Sequence, residues 1–353
     1  MSEDVFTPGR RAPGDSDEAL LTVTGLSVGF DTDDGVVRAV RRVSFDVRAG
    51  EVLGIVGESG CGKSVTAAAI MGLLPRTATV TGSVRFRGRE LVGLPEKDLR
   101  ALRGNDIAMI FQDPMSSLNP VYTVGWQVAE AYRAHHGVAW KKAAAQAVEA
   151  LELVGIPQPK RRADQYPHEY SGGMRQRAMI AMAIINDPSL IIADEPTTAL
   201  DVTVQAQILE TLLRIRDETG AAIMMITHDL GVVAGVAGRV QVMYGGTVVE
   251  SGPVEDVFAE PRMPYTIGLL GSIPNPELLG KPLTPINGAP PSLLRLPPGC
   301  AFGPRCPLVE PECRAAEPEL LAAPLAGHTA RCRRWPDVAA LEQPRRIFLG
   351  GRR

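Results

Sequence analysis

The chain has 353 residues, 45% of them hydrophobic, and a net charge of −3. That length predicts one large domain and a smaller one, and the charge gives no general electrostatic reason to expect nucleic acid as a partner. No apolar run is long enough to span a bilayer; Ala67–Leu74 and Ala178–Ile185 are both too short.

Met1–Ala19 mixes Glu, Asp, Arg, Pro and Gly without an apolar core. It reads as a disordered lead-in rather than a signal peptide or membrane anchor, and the chain is expected in the cytoplasm. Leu20–Phe30 alternates apolar and polar residues as a half-buried strand does, Asp31–Gly35 is a turn, and Val36–Val47 resumes the alternation. An antiparallel hairpin is expected. The apolar run Val52–Val56 then enters Gly57-Glu58-Ser59-Gly60-Cys61-Gly62-Lys63-Ser64, and a helix-prone run, Val65–Leu74, follows. Strand, glycine loop and helix in that order make a phosphate-binding loop, because the glycines let backbone N–H groups and the positive helix end converge on a phosphate. Lys63 can reach the β- and γ-phosphates and the Ser64 hydroxyl can ligate Mg²⁺. A chance Gly-rich turn is the plain alternative, and the flanking strand and helix weigh against it. The chain is expected to bind a nucleoside triphosphate.

Gly82–Gly88 reads as one more short strand and Pro95–Gly104 as a charged helix closed by glycine. Three further apolar runs end in polar groups: Ile107–Phe111 in Gln112, Leu190–Ala193 in Asp194-Glu195, and Ala222–Thr227 in His228. Every candidate thus lies at the C-terminal end of a strand, where open α/β sheets bind ligands. Apolar strands interleaved with helices predict an α/β fold with a largely parallel sheet covered on both faces. Between Pro114 and Ile185 the pattern turns helical (Val124–His135, Lys141–Val154, Gly172–Ile185), an insertion of about 70 residues. From Pro253 onward proline becomes dense, which predicts a C-terminal extension with little regular structure.

Asp194 stands where a carboxylate could hold Mg²⁺, and Glu195 could polarise an attacking water. In isolation a capping Asp-Glu before Pro196 is the commoner reading. His228 with Asp229 could open a helix or face a γ-phosphate. Ser171-Gly172-Gly173 opens a long helix, whose N-terminus could meet an anion or could carry an ordinary Ser cap. Cys61 is either a small residue at a tolerant position or a thiol whose pKa Lys63 and the helix N-terminus lower, so that alkylation would block nucleotide binding. The other cysteines are spaced Cys300-x5-Cys306-x6-Cys313-x18-Cys332 in a segment with few apolar residues. A metal would tie that segment together. By count, four thiols suit Zn²⁺ or a [4Fe–4S] cluster equally, and the spacing decides little.

The order and spacing of the phosphate loop, Gln112, Ser171-Gly172-Gly173, Asp194-Glu195, Ala199-Leu200-Asp201 and His228 resemble those of ABC-transporter ATPases. Phe111–Pro120, Tyr166–Tyr170, Ala193–Thr203 and Val242-Met243-Tyr244 look like the versions found in ATPase subunits of dipeptide/oligopeptide importers, which share their family with nickel importers. Met174 points to the D-type of the two such subunits, and the likeness runs from Leu21 to Cys332. It implies an ABC-type P-loop NTPase with a RecA-like parallel sheet core, an antiparallel β subdomain and a helical signature subdomain. The ATPase domain would span 20–255, with the helical part at about 114–186, and the Cys-containing extension 256–353.

The resemblance also implies roles. Phe30 would stack on adenine. Gly57, Ser59, Lys63 and the backbone of Gly60, Cys61, Gly62, Ser64 and Val65 would hold the phosphates of ATP. Ser64, Gln112 and Asp194 would ligate Mg²⁺, Glu195 would be the general base, and His228 would sense the γ-phosphate. Ser171, Gly172 and Gly173 would cover the nucleotide of a second ATPase subunit, the F-type paralogue, with Asp201 communicating across that interface. Cys300, Cys306, Cys313 and Cys332 would hold a [4Fe–4S] cluster. Gln112 and the helices after it would meet two transmembrane permease subunits fed by an extracytoplasmic solute-binding protein, with the chain peripheral on the cytoplasmic membrane face. The cargo would be dipeptides or oligopeptides, alternatively nickel or another small solute. A soluble ABC-type ATPase acting on nucleic acid or ribosomes would carry long coiled-coil insertions, zinc modules or basic arms; here the basic run is confined to Arg345–Arg353. Phe30 stands where many relatives have Tyr, and Tyr170 and Met174 replace the commoner Leu and Gln.

Overall fold

Burial follows the alternation of the first strand, with one change of phase. In β1 (Leu21–Thr32) Leu21 and Val23 point inward, then Leu26 and Val28. The shift from odd to even positions occurs at Gly25, whose φ of +59° an L side chain would resist. The computed structural model describes residues 19–198, 200–272, 285–323, 327–341 and 344–348. The expected lead-in, save Ala19, lies outside them, as do Ala199, Pro274, Pro276, Pro282 and the terminal Arg352-Arg353.

After β1 come β2 (Gly35–Val47), β3 (Val52–Val56), α1 (Lys63–Ile70), β4 (Ala78–Phe86), β5 (Arg89–Glu90), α2 (Glu96–Leu102) and β6 (Ile107–Ile110). Helices then follow without a strand: α3 (Pro114–Ser117), α4 (Val124–His136), α5 (Trp140–Leu153), α6 (Pro159–Ala163) and α7 (Gly172–Ile184). The chain continues through β7 (Leu190–Asp194), α8 (Val202–Thr219), β8 (Ala222–Thr227), α9 (Leu230–Val236), β9 (Arg239–Tyr244) and β10 (Thr247–Pro253). The last elements are α10 (Val254–Ala259), α11 (Pro264–Gly271), α12 (Pro311–Ala315), β11 (Leu321–Ala322), β12 (Thr329–Ala330) and α13 (Trp335–Ala339). Among the described residues no helix is long and apolar enough to cross a membrane.

Two compact units are made from interleaved segments. One contains Thr22–Asp46, Val52–Val92 and Ile226–Arg353. It holds a four-stranded sheet in the order β2-β1-β4-β5, and strands ordered β11-β12-β10-β9-β3. β3 and β9 pair in parallel and β9 and β10 antiparallel. All five residues of β3 are buried, and each Val, Leu or Ile side chain so placed contributes about 1.5–3 kcal/mol. The other unit contains Gly93–Met225 with short pieces at Met1–Leu21 and Val47–Glu51. Its strands run β8-β7-β6, with β6 and β7 parallel and Ile110 opposite Ala193.

Three details differ from the sequence reading. β4 begins at Ala78 rather than Gly82, since the β-branched Thr79, Val80 and Thr81 extend the strand. β6 ends at Ile110 and leaves Phe111 exposed, and Asp113 caps the short α3 by accepting from Met115 N. The extension is less irregular than its prolines suggest. Pro264 sits at the first position of α11, where its missing N–H costs nothing, and Tyr265, Ile267 and Leu270 are buried.

Candidate functional site

In the first unit, β3 delivers the chain into the phosphate loop and α1 leaves it. Gly57 and Gly62 have φ of +154° and +103°, and a Cβ on either would collide with the carbonyl of Met243 or of Ala39. Only glycine fits there. Lys63 is buried, and its Nζ donates to the carbonyls of Gly57 at 2.7 Å and Glu58 at 3.1 Å. The ammonium is thereby held over the loop on acceptors that phosphate oxygens can replace. Sequence reasoning missed Tyr265, whose hydroxyl accepts from Glu58 N at 2.8 Å. Phe30 is half-buried near the end of β1. His228 is exposed directly after β8, and Asp229 caps α9, its Oδ1 accepting from Gly231 N at 2.7 Å.

Of the two readings of Cys61, the structure supports the small buried residue over the reactive thiol. The thiol is buried and lies 3.9 Å from Lys63 Nζ. Burial pushes its pKa up, outweighing the Lys63 charge that pulls it down. The plain reading of a small buried residue stands.

In the second unit the parallel register of β6 and β7 sets two strand ends side by side. Asp194 is the buried last residue of β7. Glu195 follows with φ of +48°, a left-handed backbone that costs a non-glycine residue about 1–3 kcal/mol and gathers at functional sites. Gln112 Nε2 donates to Glu195 Oε2 at 3.1 Å, and Thr198 Oγ1 donates to the same oxygen at 2.8 Å. The fold thus brings Gln112, Asp194 and Glu195 together. Thr198 was not anticipated, although it lies only three residues beyond Glu195.

Ser171 caps α7 by accepting from Met174 N at 3.3 Å, and Asp201 caps α8 by accepting from Val204 N at 3.0 Å. Ser171 is therefore an N-cap, as its plainer reading had it. A Cβ on Gly173 would stand 2.8 Å from Val204 Cγ1, so glycine is what lets these two helix N-termini approach.

Cys300, Cys306, Cys313 and Cys332 are free thiols that line one small pocket with Phe302, Pro264 and Leu308. Burial pushes Cys300 up, and Cys306 and Cys332 up to about 12. Among the described residues no three His, Cys, Asp or Glu side chains stand close enough to hold a single ion.

Two families match the chain. The one described as "ABC transporter" matches residues 40–198, and "Oligopeptide/dipeptide transporter, C-terminal region" matches residues 249–313. The chain is 56% identical to the dipeptide transport ATP-binding protein DppD of Bacillus subtilis, over 82% of the chain and 87% of that protein. It is 53% identical to the oligopeptide transport ATP-binding protein OppD of Salmonella typhimurium, over 85% of the chain and 89% of that protein. With OppD of Mycobacterium tuberculosis it shares 58% identity over 89% of its own length but only 51% of the relative's, so it spans about half of that protein. Among solved structures, a dimeric ATP-binding cassette in a post-hydrolysis state with ADP and Pi is similar, with a TM-score of 0.60, 26% identity, and coverage of 66% of this chain and 98% of that one. The ABC transporter match includes the phosphate loop and Glu195, and the C-terminal match includes Cys300, Cys306 and Cys313. The chain belongs to the ABC transporter family, among the oligopeptide and dipeptide transport ATP-binding proteins.

Proposed function

We propose that the chain is the ATP-hydrolysing subunit of an importer for dipeptides or oligopeptides, peripheral on the cytoplasmic face of the membrane. The observation that carries this reading is Glu195, held by Gln112 and Thr198 beside the buried Asp194. Lys63, Ser59, Gly57 and the loop from Gly60 to Val65 take the phosphates, and Phe30 stacks on the adenine. The oxygen donors of Ser64, Gln112 and Asp194 suit a hard cation such as Mg²⁺. With its nitrogen given to Glu195, Gln112 has its amide oxygen left for that purpose. Held by these donors, the cation would neutralise phosphate charge. Glu195 takes a proton from a water whose oxygen attacks the γ-phosphorus, the bond to ADP breaks, and His228 contacts the γ-phosphate.

Ser171, Gly172 and Gly173 cover the nucleotide of a second ATPase subunit of the F-type, with Asp201 at that interface. Phe111, Met115, Val121, Tyr122 and Trp126 form an exposed apolar stretch just after β6, which supports docking there on two permease subunits. The solute-binding protein acts through those permeases. The four cysteines fit a [4Fe–4S] cluster better than Zn²⁺. A zinc ion gathers its sulfurs at about 2.3 Å around one point, whereas a cluster spreads four thiolates over four irons. The four thiols line one pocket, which supports a shared group there. The cluster would supply a cross-link for the extension.

Co-expression with candidate permease subunits and purification from membranes tests the transport role. We expect the chain to co-purify with the permeases and its ATPase rate to rise with peptide-loaded binding protein. A chain that leaves the membrane fraction and responds only to nucleic acid or ribosomes would overturn it.

A further inference from the structure

Glu58 is the acidic residue of the phosphate loop, and the extension grips it from two sides. Arg305 ends the short helical turn Gly303–Arg305 that separates Cys300 from Cys306. Its guanidinium forks onto the carboxylate, Nη1 donating to Oε2 at 2.6 Å and Nη2 to Oε1 at 3.0 Å. The Arg305 and Glu58 side chains are only 7% and 22% exposed, so this pair is far better shielded than a surface ion pair. The guanidinium is itself fixed. Nε donates to Asn287 O at 3.0 Å, Nη1 to Tyr244 Oη at 3.3 Å, and the group lies 5.9 Å from the ring centres of Tyr244 and Phe302. From the other side Tyr265 accepts from Glu58 N, while the Glu58 carbonyl accepts from Lys63 Nζ.

We infer that Arg305 is a positioning residue for ATP. It neutralises Glu58 and holds the carboxylate on the extension, so that the loop can receive a polyanion without a competing negative charge. An unpaired carboxylate beside the phosphate site would repel ATP, and with its charge freed it could also compete for Lys63. The turn that carries Arg305 lies between two of the four thiols, Cys300 and Cys306, so Arg305 joins the cysteine-bearing segment to the phosphate loop. This inference rests on ATP binding at Gly57–Ser64, which unaltered binding by the parent chain checks separately.

The test is equilibrium binding of Mg-ATP to the full chain at low and high salt. Arg305→Gln is expected to raise the ATP Kd about tenfold at low salt, with the difference shrinking as salt screens the charge. Adding Glu58→Gln to that variant is expected to restore most of the affinity, because the repelling charge is gone. Glu58→Gln alone, which leaves a cationic Arg305 beside the loop, is expected to tighten binding about two- to threefold. Arg305→Gln binding like the parent, a double variant no better than Arg305→Gln, or Glu58→Gln binding more weakly would each overturn the inference. Should Arg305→Gln fail to fold, Glu58→Gln alone decides.

Discussion

Tyr170 shows how burial at a single residue becomes a pH effect. The residue is 2% exposed, its hydroxyl donates to Arg162 O at 3.0 Å, and burial raises its pKa to about 12. An unfolded chain releases that proton near pH 10. The folded state therefore binds the proton more tightly, and the contribution to stability is complete below pH 10 and lost as pH rises toward 12. Denaturant titrations at pH 9 and pH 11 should show the parent losing more stability than Tyr170→Phe, and equal losses would contradict this. Cys61 teaches the same lesson, since burial decides between the two readings that the sequence allowed. Its neighbour Lys63 was visible in the motif, but the burial that outweighs that charge was not.

At the scale of elements, α8 depends on its first residue. Asp201 accepts from Val204 N, so Asp201→Ala should cost about 1 kcal/mol of stability, measured as a shift in the urea midpoint, while Asp201→Asn should keep most of it. If Asp201→Asn nevertheless lowers ATP hydrolysis, the carboxylate has a role apart from the cap. Elements were legible where local chemistry decides them. The buried runs Val52–Val56 and Leu190–Asp194 could only be interior strands, and Gly57 and Gly62 announced the loop by spacing. What could not be read was non-local or conformational. The left-handed backbone at Glu195 has no sequence signature, because the surrounding fold imposes it. The grip of Arg305 on Glu58 joins residues 247 apart in a segment whose prolines suggested little order.

Across the whole molecule, the four cysteines are the feature that chain length alone does not explain. Their pocket lies against α11, through Pro264, and Cys300, Cys306 and Cys332 pack against a buried cluster that includes Tyr265, Ala301 and Phe302. We expect anaerobically purified protein to contain iron and show the visible absorbance of an iron–sulfur cluster, and Cys306→Ser to lose both and unfold at lower temperature. Colourless protein with stoichiometric zinc would contradict the cluster. In the function proposed above, the phosphate loop would be one half of a catalytic site and the Ser171 helix the cover for another. That division makes Glu195 the residue on which hydrolysis turns. The decisive measurement is single-turnover ATP hydrolysis, with ATP retention, by Glu195→Gln in the assembled transporter. We expect retained ATP and a rate lowered by about 10²–10⁴-fold; hydrolysis at the parent rate would contradict the role given to Glu195.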